Sequence, residues 1–253
     1  MYGVGYLANT LAYLGYFDQA RSRANEGLVE ARRLQHAHSL VANLCCMCWV
    51  ASLTNSPLEV RPHAEEMFNL ASEHGFALWQ GIATDWRGWA SAAIGRADDG
   101  VELLTKAISS IRATGTVICT PLWLTHLAGA HGRLGHPLDE GLSRLTEAAE
   151  IIEATDERHH EAELYRLQGD LMNATGDQEE AERSYRRAIG AAERQNAKAL
   201  EVRAATSLAR LWRDQRKSDD ARALLAPIYG WFTEVFDTPV LQDAKALLDQ
   251  LGN

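Results

Sequence analysis

The chain has 253 residues, of which 46% are hydrophobic and only 8% aromatic, and it carries a formal net charge of −9. This composition is typical of an all-helical protein rather than a β-rich one, and the negative charge argues against bulk binding to nucleic acid, which requires a basic face. Three of the four cysteines fall within four residues, so they are not a disulfide framework and they favour a reducing cytoplasm; the four are Cys45, Cys46, Cys48 and Cys119.

From the N-terminus onward, the chain divides into repeated helix pairs. The first helix begins at once with MYGVGYLANTLAYLGY, and the second helix of the pair opens around Ala20. Residues that are small or short recur at this place in each later pair, 40 or 41 residues apart: Ala20, Val60, Gly100, Gly141, Ala181 and Ala221. This regular spacing predicts a solenoid.

Turn signals recur in phase with these residues. Each precedes the small residue by about five positions, where a glycine can end a helix at little steric cost: Gly15, Asn55, Gly95, Gly135 and Gly176. Thr238-Pro239 is typical of a helix start. The sequence therefore predicts one all-α domain, a right-handed α-solenoid of six helix pairs with a C-terminal capping helix. The pairs are predicted at residues 1–36, 37–76, 77–116, 117–157, 158–197 and 198–237, and the capping helix at 239–251.

Within each pair, the pattern resembles the tetratricopeptide repeat, which places small or apolar residues at fixed positions of both helices. The fifth pair shows it most clearly, with Tyr165, Gln168, Gly169, Met172, Ala181, Tyr185 and Ala188. The first pair has Val4, Leu7, Ala8, Leu11, Ala20, Ala24 and Gly27 at the same places. The period of 40 residues exceeds the 34 that are usual for this repeat, so longer helices are expected.

The last part of the chain has a closer resemblance. The segment RAATSLARLWRDQRKSDDARALLAPIYGWFTEVFDTPVLQDAKALLDQL is similar to the C-terminal tetratricopeptide region of bacterial multidomain regulators. Those regulators join a class III adenylate/guanylate cyclase domain and an ATPase domain to such a solenoid. GWASAAIGRADDGVELLTKAISSIRATG and AELYRLQGDLM resemble the same family. The family's catalytic motifs do not occur here, so the resemblance implies a non-enzymatic sensing or docking arm.

Three short motifs resemble sites of chemistry. GVGYLA (3–8) fits a dinucleotide fingerprint but does not follow a strand. CCMC (45–48) would need further zinc ligands, for which Cys119 and His126 are the candidates, so core-filling thiols are expected instead. RHHEAE, with His159, His160, Glu161 and Glu163, is not an H-E-x-x-H motif. No catalytic residue, metal or cofactor is therefore predicted.

In tetratricopeptide arrays the first helices line a concave groove, and the resemblance carries that groove onto this chain. Its predicted residues are Asn9, Tyr13, Cys45, Trp49, Asp85, Trp89, Trp123, His126, Arg133, Glu163, Arg166, Asp170, Asn173, Arg203, Arg210 and Arg213. Tryptophans form an aromatic run in its middle, and arginines form a basic stretch towards its end. Both residue types are enriched at binding hot spots, and arginine suits carboxylates. The alternative is that the tryptophans are core residues and that Arg203, Arg210 and Arg213 pair with Glu201, Asp214 and neighbouring acids.

These observations favour a non-enzymatic protein-interaction scaffold, whose groove binds an acidic peptide or helix with an apolar anchor. The alternative function is a small-molecule-sensing regulator domain with its ligand in the groove. Because no N-terminal cap is predicted, residues 2–16 are expected to self-associate. Two segments without charged residues, 34–58 and 113–132, are expected to be buried helices rather than membrane spans. No nucleic-acid or membrane partner is predicted.

Overall fold

The computed structural model of the chain describes residues 2–135, 138–234 and 237–252. Within these ranges it contains thirteen α-helices and no strand, as the composition predicts. In chain order they are α1 (Tyr2–Tyr13), α2 (Phe17–Arg33), α3 (Ala37–Leu53), α4 (Pro57–Glu73), α5 (Ala77–Ala93), α6 (Ala97–Ala113), α7 (Thr120–Leu134), α8 (Leu138–Thr155), α9 (Glu161–Thr175), α10 (Gln178–Arg194), α11 (Lys198–Asp214), α12 (Ser218–Gly230) and α13 (Pro239–Leu251). The last of these begins and ends at the residues predicted for the capping helix, and the helices pack in sequence as an all-α solenoid.

Most helices end in a short turn that contains one residue with a positive φ angle. The five predicted turn residues all adopt this conformation, from 57° at Asn55 to 91° at Gly15. After the turn, a backbone N–H donates to a carbonyl five residues earlier, as from Ser56 to Ala51 at 2.8 Å. This bond is typical of the Schellman motif, which stops a helix and occupies a carbonyl group that the helix end would otherwise leave unpaired.

The two helices of a pair approach closely at small residues. At Gly100, a β-carbon would lie 2.6 Å from the β-carbon of Ala92 on the preceding helix. At Gly169, it would lie 2.5 Å from the ring of Tyr185. All six predicted small or short residues are buried, as the repeat requires: Ala20, Val60, Gly100, Gly141, Ala181 and Ala221.

The first helices of the pairs form an inner layer, and the second helices form an outer layer. Buried residues occur on nearly every side of α3, α5, α7 and α11, whereas α4, α8 and α12 each bury a single stripe. Neighbouring inner helices also contact one another, as α1 does with α3 and α7 with α9. A side chain that points to the inside of the solenoid therefore meets more than one helix.

The two ends of the solenoid contact each other. The ring of Phe17, at the start of α2, stacks on the ring of Phe232 with 5.7 Å between centroids, and both residues are buried. The N–H of Val240, at the start of α13, donates to the carbonyl of Thr54, which follows α3, at 3.3 Å. The inner helices therefore surround a largely filled interior, where the resemblance predicts an open concave groove.

The same contact covers part of the N-terminal face that is predicted to be exposed. Ala8 and Ala12 on α1 have no exposed surface and belong to an apolar cluster that also contains Ala192 of α10 and Leu200 of α11. Tyr6 and Leu7 stay exposed at 66% and 46%. The apolar surface that α1 offers for the predicted self-association is therefore smaller than the sequence indicates.

The two segments without charged residues contain α3 and most of α7, and both helices are buried among their neighbours, as predicted. Among the described helices, none combines the length and the apolarity that a bilayer span requires.

Candidate functional site

The residues predicted to line a groove separate into three groups. One group lies at the centre of the inner layer or at its edge: Tyr13, Cys45, Trp49, Asp85, Trp89, Trp123 and His126. A second group lines one cavity: Arg133, Arg166, Asp170, Arg203 and Arg210. Glu163 lies beside that cavity, in contact with two of these arginines. The third group lies apart from both: Asn9, Asn173 and Arg213.

The central group packs around Trp86, which has no exposed surface. The indole of Trp86 lies within 6.4 Å, centroid to centroid, of three other indole rings, those of Trp49, Trp89 and Trp123. Trp89 and Trp123 are buried, so the prediction that they form an exposed aromatic run is wrong. The physical reason is that the inner helices converge where a groove was expected, and burying large rings stabilises that convergence.

Asp85 and His126, predicted to face the groove, instead face each other inside this cluster. The Nδ1 atom of His126 lies 2.7 Å from Oδ2 of Asp85, and both side chains are buried. Burial raises the pKa of the Asp85 carboxyl, and the neighbouring His126 opposes that rise. Each of the two side chains has its polar partner inside the protein, and both are buried, so neither is available to a ligand at the surface.

Trp49 and Tyr13 lie at the edge of the cluster and are half-buried. The indole N–H of Trp49 donates to the Tyr13 hydroxyl at 3.1 Å. Both rings also contact the imidazole of His159, with centroids 5.7 Å away for Trp49 and 6.2 Å for Tyr13. These two predicted residues therefore pack against His159, and Trp49 joins them to the central tryptophans through Trp86.

The second group lines a cavity of about 320 Å³ between α7, α9 and α11, which we call the arginine cavity. Four arginines contribute to its wall: Arg133 from α7, Arg166 from α9, and Arg203 and Arg210 from α11. Each was predicted as a binding residue from the repeat register. The structure thus brings together the basic half of the predicted set while it buries the aromatic half.

Three of these arginines have carboxylate partners. Glu163 accepts hydrogen bonds from Arg166 at 2.6 Å and from Arg203 at 2.7 Å. Burial alone would raise the pKa of Glu163, but the two guanidinium groups hold it far below its usual value. Arg166 also donates to Asp170 at 2.5 Å, and Arg210 pairs with Asp243. Arg203 and Arg210 are therefore paired internally, as the alternative predicts, although with Glu163 and Asp243 rather than with Glu201 and Asp214.

Arg133 differs from the other three. Its one hydrogen bond within the described residues goes from Nη1 to the carbonyl of Gly129 on its own helix, at 3.0 Å. No described carboxylate lies within ion-pair distance of its guanidinium. Burial lowers the pKa of Arg133, and the charge of Arg166 lowers it further. The four arginines face three nearby carboxylates, which leaves the arginine cavity with a net charge of about +1.

The third group has no common site. Asn9 donates from Nδ2 to the sulfur of Cys46 at 4.0 Å, and Asn173 is exposed at the end of α9. Arg213 donates to Asp214 at 2.9 Å and to Gln250 of α13 at 2.8 Å, which joins α11 to the capping helix. The pairing of Arg213 with Asp214 is the one that the sequence suggested.

Two members of these sites were not predicted. Trp86 lies one residue after Asp85, at a register position that belongs to neither the packing set nor the groove set of the repeat, and only the convergence of the inner helices makes it the central ring. Asp243 belongs to the capping helix, and it reaches Arg210 because α13 packs against α11. Neither contact has a local sequence signal, because each joins separate helix pairs.

The interior thus contains a basic cavity next to a filled aromatic core. No protein-family model matches the sequence, and a search of curated proteins finds no matching relative.

Proposed function

We propose that the chain is a non-enzymatic interaction module that binds an acidic segment of a partner protein at the arginine cavity. In this proposal the solenoid is tetratricopeptide-like and acts in the bacterial cytoplasm. Its resemblance to the C-terminal region of cyclase–ATPase regulators assigns it the role of a sensing or docking arm in a signalling assembly.

The observation that supports this proposal is the position of Arg133. Its guanidinium lines a cavity with three other arginines and has no carboxylate partner among the described residues. A carboxylate from a partner would accept two parallel N–H hydrogen bonds from this guanidinium and would offset the local positive charge. In a chain with a net charge of −9, such a basic pocket is a local exception that favours anions.

The apolar part of the partner would contact a different wall from the one predicted. Because Trp89 and Trp123 are buried, they cannot anchor a peptide. Leu167 of α9, which is half-buried, lines the arginine cavity beside the guanidinium groups and provides apolar surface there. The proposed partner segment is therefore an acidic residue flanked by an aliphatic one.

The alternative function is the sensing of a small anionic molecule. The cavity volume of about 320 Å³ is at the lower end of the range of roughly 300–1,000 Å³ that is typical of small-molecule sites. The same arginines would then bind a free carboxylate or phosphate. The two functions share their chemistry and differ in the size of the ligand.

The test compares the wild-type chain with Arg133→Gln in binding titrations by calorimetry. The probes are a glutamate-rich peptide with a central leucine, a lysine-rich peptide of equal length, succinate and inorganic phosphate. Arg183→Gln is the matched control, because Arg183 is an arginine of the outer helix α10 that pairs with exposed acids. We expect the glutamate-rich peptide to bind, with weaker binding at higher salt.

Arg133→Gln should weaken that binding about 10- to 100-fold, since a hydrogen bond to a charged group contributes about 1.5–3 kcal/mol. Arg183→Gln should bind like wild type. Binding of succinate or phosphate without binding of the peptide would favour the small-molecule function. Peptide binding that is equal in all three proteins would rule out the arginine cavity as the site.

A further inference from the structure

A second cluster of polar side chains lies outside the arginine cavity, where two of the longer connections between helices meet. The connection 114–119 leads from α6 to α7, and 156–160 leads from α8 to α9, whereas most others have two or three residues. Cys119 ends the first of them, and Glu157 and His159 belong to the second. The Cys119 sulfur, a Glu157 carboxylate oxygen and a His159 ring nitrogen all lie within 4.8 Å of one another.

The backbone holds these groups in place. The N–H of Cys119 donates to both carboxylate oxygens of Glu157, at 2.9 and 3.1 Å. Cys119 has a φ angle of 60°, a left-handed conformation that is uncommon for a residue with a side chain. Such a conformation persists only where the surrounding structure determines it, and it occurs often at functional sites. The two connections are thus joined at the cluster itself.

The imidazole of His159 is also fixed. Its Nδ1 atom lies 3.6 Å from Oε1 of Glu157, and its ring packs against those of Tyr13 and Trp49. The other ring nitrogen, Nε2, is buried and has no hydrogen-bond partner among the described residues. The ring therefore presents one nitrogen to the carboxylate and the thiol.

One sulfur, one nitrogen and one oxygen donor are the ligand types that zinc takes in proteins. Bonds of about 2.0–2.3 Å in a tetrahedral site place neighbouring ligand atoms about 3.3–3.8 Å apart. The separation of 3.6 Å between His159 and Glu157 is in this range, and the thiol needs a movement of at most about 1 Å. Magnesium and calcium prefer oxygen donors alone, so this mixed set favours zinc over both.

The charges around the cluster also suit a cation. Glu157 brings a carboxylate, and the neighbouring Arg158 is occupied elsewhere, by Glu153 at 3.0 Å and Asp156 at 2.6 Å. Burial lowers the pKa of His159, which keeps its ring neutral and able to bind a metal at pH 7. Burial and the adjacent Glu157 raise the pKa of the Cys119 thiol to about 12, so the thiol is protonated until a metal displaces its proton.

We propose that Cys119, Glu157 and His159 bind one zinc ion, with water in the fourth coordination position. On binding, the S–H bond of Cys119 breaks, a sulfur–zinc bond forms, and the proton passes to solvent. The ion ties the start of α7 to the start of α9 and so joins two consecutive helix pairs at their loops.

The experiment titrates the full chain, first stripped with a chelator, with cobalt as a spectroscopic substitute for zinc. Thiolate ligation gives a sulfur-to-cobalt charge-transfer absorption, which imidazole and carboxylate ligands alone do not give. We expect one cobalt per chain, displacement by zinc, and a higher melting temperature with zinc than without. Cys119→Ser should lose the charge-transfer band, and His159→Gln should weaken zinc binding by more than the ~10–100-fold that loss of an outer-shell partner costs.

Two matched controls are Cys46→Ser and His63→Gln, since both residues are half-buried like the proposed ligands but lie on α3 and α4. Both should keep the band and the affinity of wild type. Circular dichroism of every variant separates loss of binding from loss of fold. Absence of cobalt binding to the folded wild type overturns the site. A band that survives in folded Cys119→Ser, or that disappears in Cys46→Ser, overturns it as well.

Discussion

His126 and Asp85 form a buried polar pair at the centre of the molecule, with 2.7 Å between Nδ1 and Oδ2. Asp85 lies on α5 and His126 on α7, so the contact crosses between two consecutive helix pairs. The rings of three tryptophans, Trp86, Trp89 and Trp123, lie against His126, and the other carboxylate oxygen of Asp85, Oδ1, has no hydrogen-bond partner among the described residues. The charge state of Asp85 therefore bears directly on the stability of the core.

The pH dependence of the unfolding free energy, compared between wild type and Asp85→Asn, tests whether the charge state of Asp85 affects the stability of the core. Burial raises the pKa of Asp85 in the folded chain above the value of about 3.9 that is typical of an unfolded chain. The folded state therefore holds the proton more tightly. The stability contributed by the neutral carboxyl is present below pH ~3.9 and is lost as the pH rises through the folded-state pKa.

We expect the unfolding free energy of wild type, relative to Asp85→Asn, to fall by up to about 1.4 kcal/mol per pH unit in that window. Urea unfolding at a series of pH values measures it. The exposed Asp98 of α6 is the control, because Asp98→Asn should show no such trend. A wild-type advantage over Asp85→Asn that increases with pH would contradict the prediction.

Glu163→Gln removes the acid shared by Arg166 and Arg203. Two half-buried guanidinium groups then lose their buried carboxylate, which should lower the unfolding free energy at pH 7 by up to about 3–5 kcal/mol. Because the pKa of Glu163 is lowered in the folded chain, its contribution is present above pH ~4.3 and is lost as the pH falls. Denaturant unfolding at pH 7 and at lower pH checks both statements.

The control is Glu179→Gln, which removes one acid of an exposed ion pair on α10 and should have only the small effect of a surface pair. An equal loss of stability in Glu163→Gln and Glu179→Gln would be evidence against the buried network.

Gly169→Ala should destabilise the fifth helix pair. The added methyl group would lie 2.5 Å from the ring of Tyr185, which is buried and has no free space to move into. Such overpacking costs about 1–3 kcal/mol, which thermal unfolding would detect. Gly190→Ala is the control on the adjacent helix α10, where the nearest atom is 3.6 Å away. That change should stabilise the helix by up to about 1 kcal/mol, and a loss of stability at position 190 would show that the close approach is not the cause.

The contact between the two ends of the solenoid is tested with Phe17 and Phe232. Phe17→Ala should lower the unfolding free energy by about 3–5 kcal/mol. A double-mutant cycle with Phe232→Ala should give a coupling of about 0.5–1.5 kcal/mol, because the two rings stack. Leu58→Ala, at a residue that is 73% exposed, is the control. A coupling of zero would mean that the ends do not meet in solution.

The helices and most of their boundaries could be predicted from the sequence because their signals are local. A glycine or asparagine at the turn and a threonine–proline pair before α13 each act within a few residues of the boundary they set. The exceptions are turns with positive φ at Gln35 and Arg216. Neither side chain favours this conformation, so tertiary packing, which no local pattern reports, determines it.

The closed interior could not be predicted in the same way. A repeat pattern specifies how each helix pair packs on the next, but the curvature of the whole solenoid is the sum of many small rotations. Here that sum brings Thr54 next to Val240 and places Trp86 at the centre of a core. The predicted arginines nevertheless line one cavity, because they lie on α7, α9 and α11, where space remains between the inner helices.

The cluster of Cys119, Glu157 and His159 shows the same limit at the scale of single side chains. The sequence marks the cysteines and the histidine pair as separate motifs. They meet because two connections are longer than the others and because α7 and α9 are neighbours in the inner layer. The lengths of these two connections do not by themselves reveal that the connections are adjacent in space.

The contact between the first and last helix pairs has a consequence for how the chain loses structure. An open array of repeats can fray from either end, one unit at a time, since a terminal unit has a single neighbour. In this chain the stacked rings of Phe17 and Phe232 give each terminal unit a second neighbour. Opening one end also uncovers apolar surface on the other, which makes partial opening costly. The protein is therefore expected to unfold as one cooperative body, and its slowest-exchanging amides should include those of α2 and α11 as well as those of the central helices.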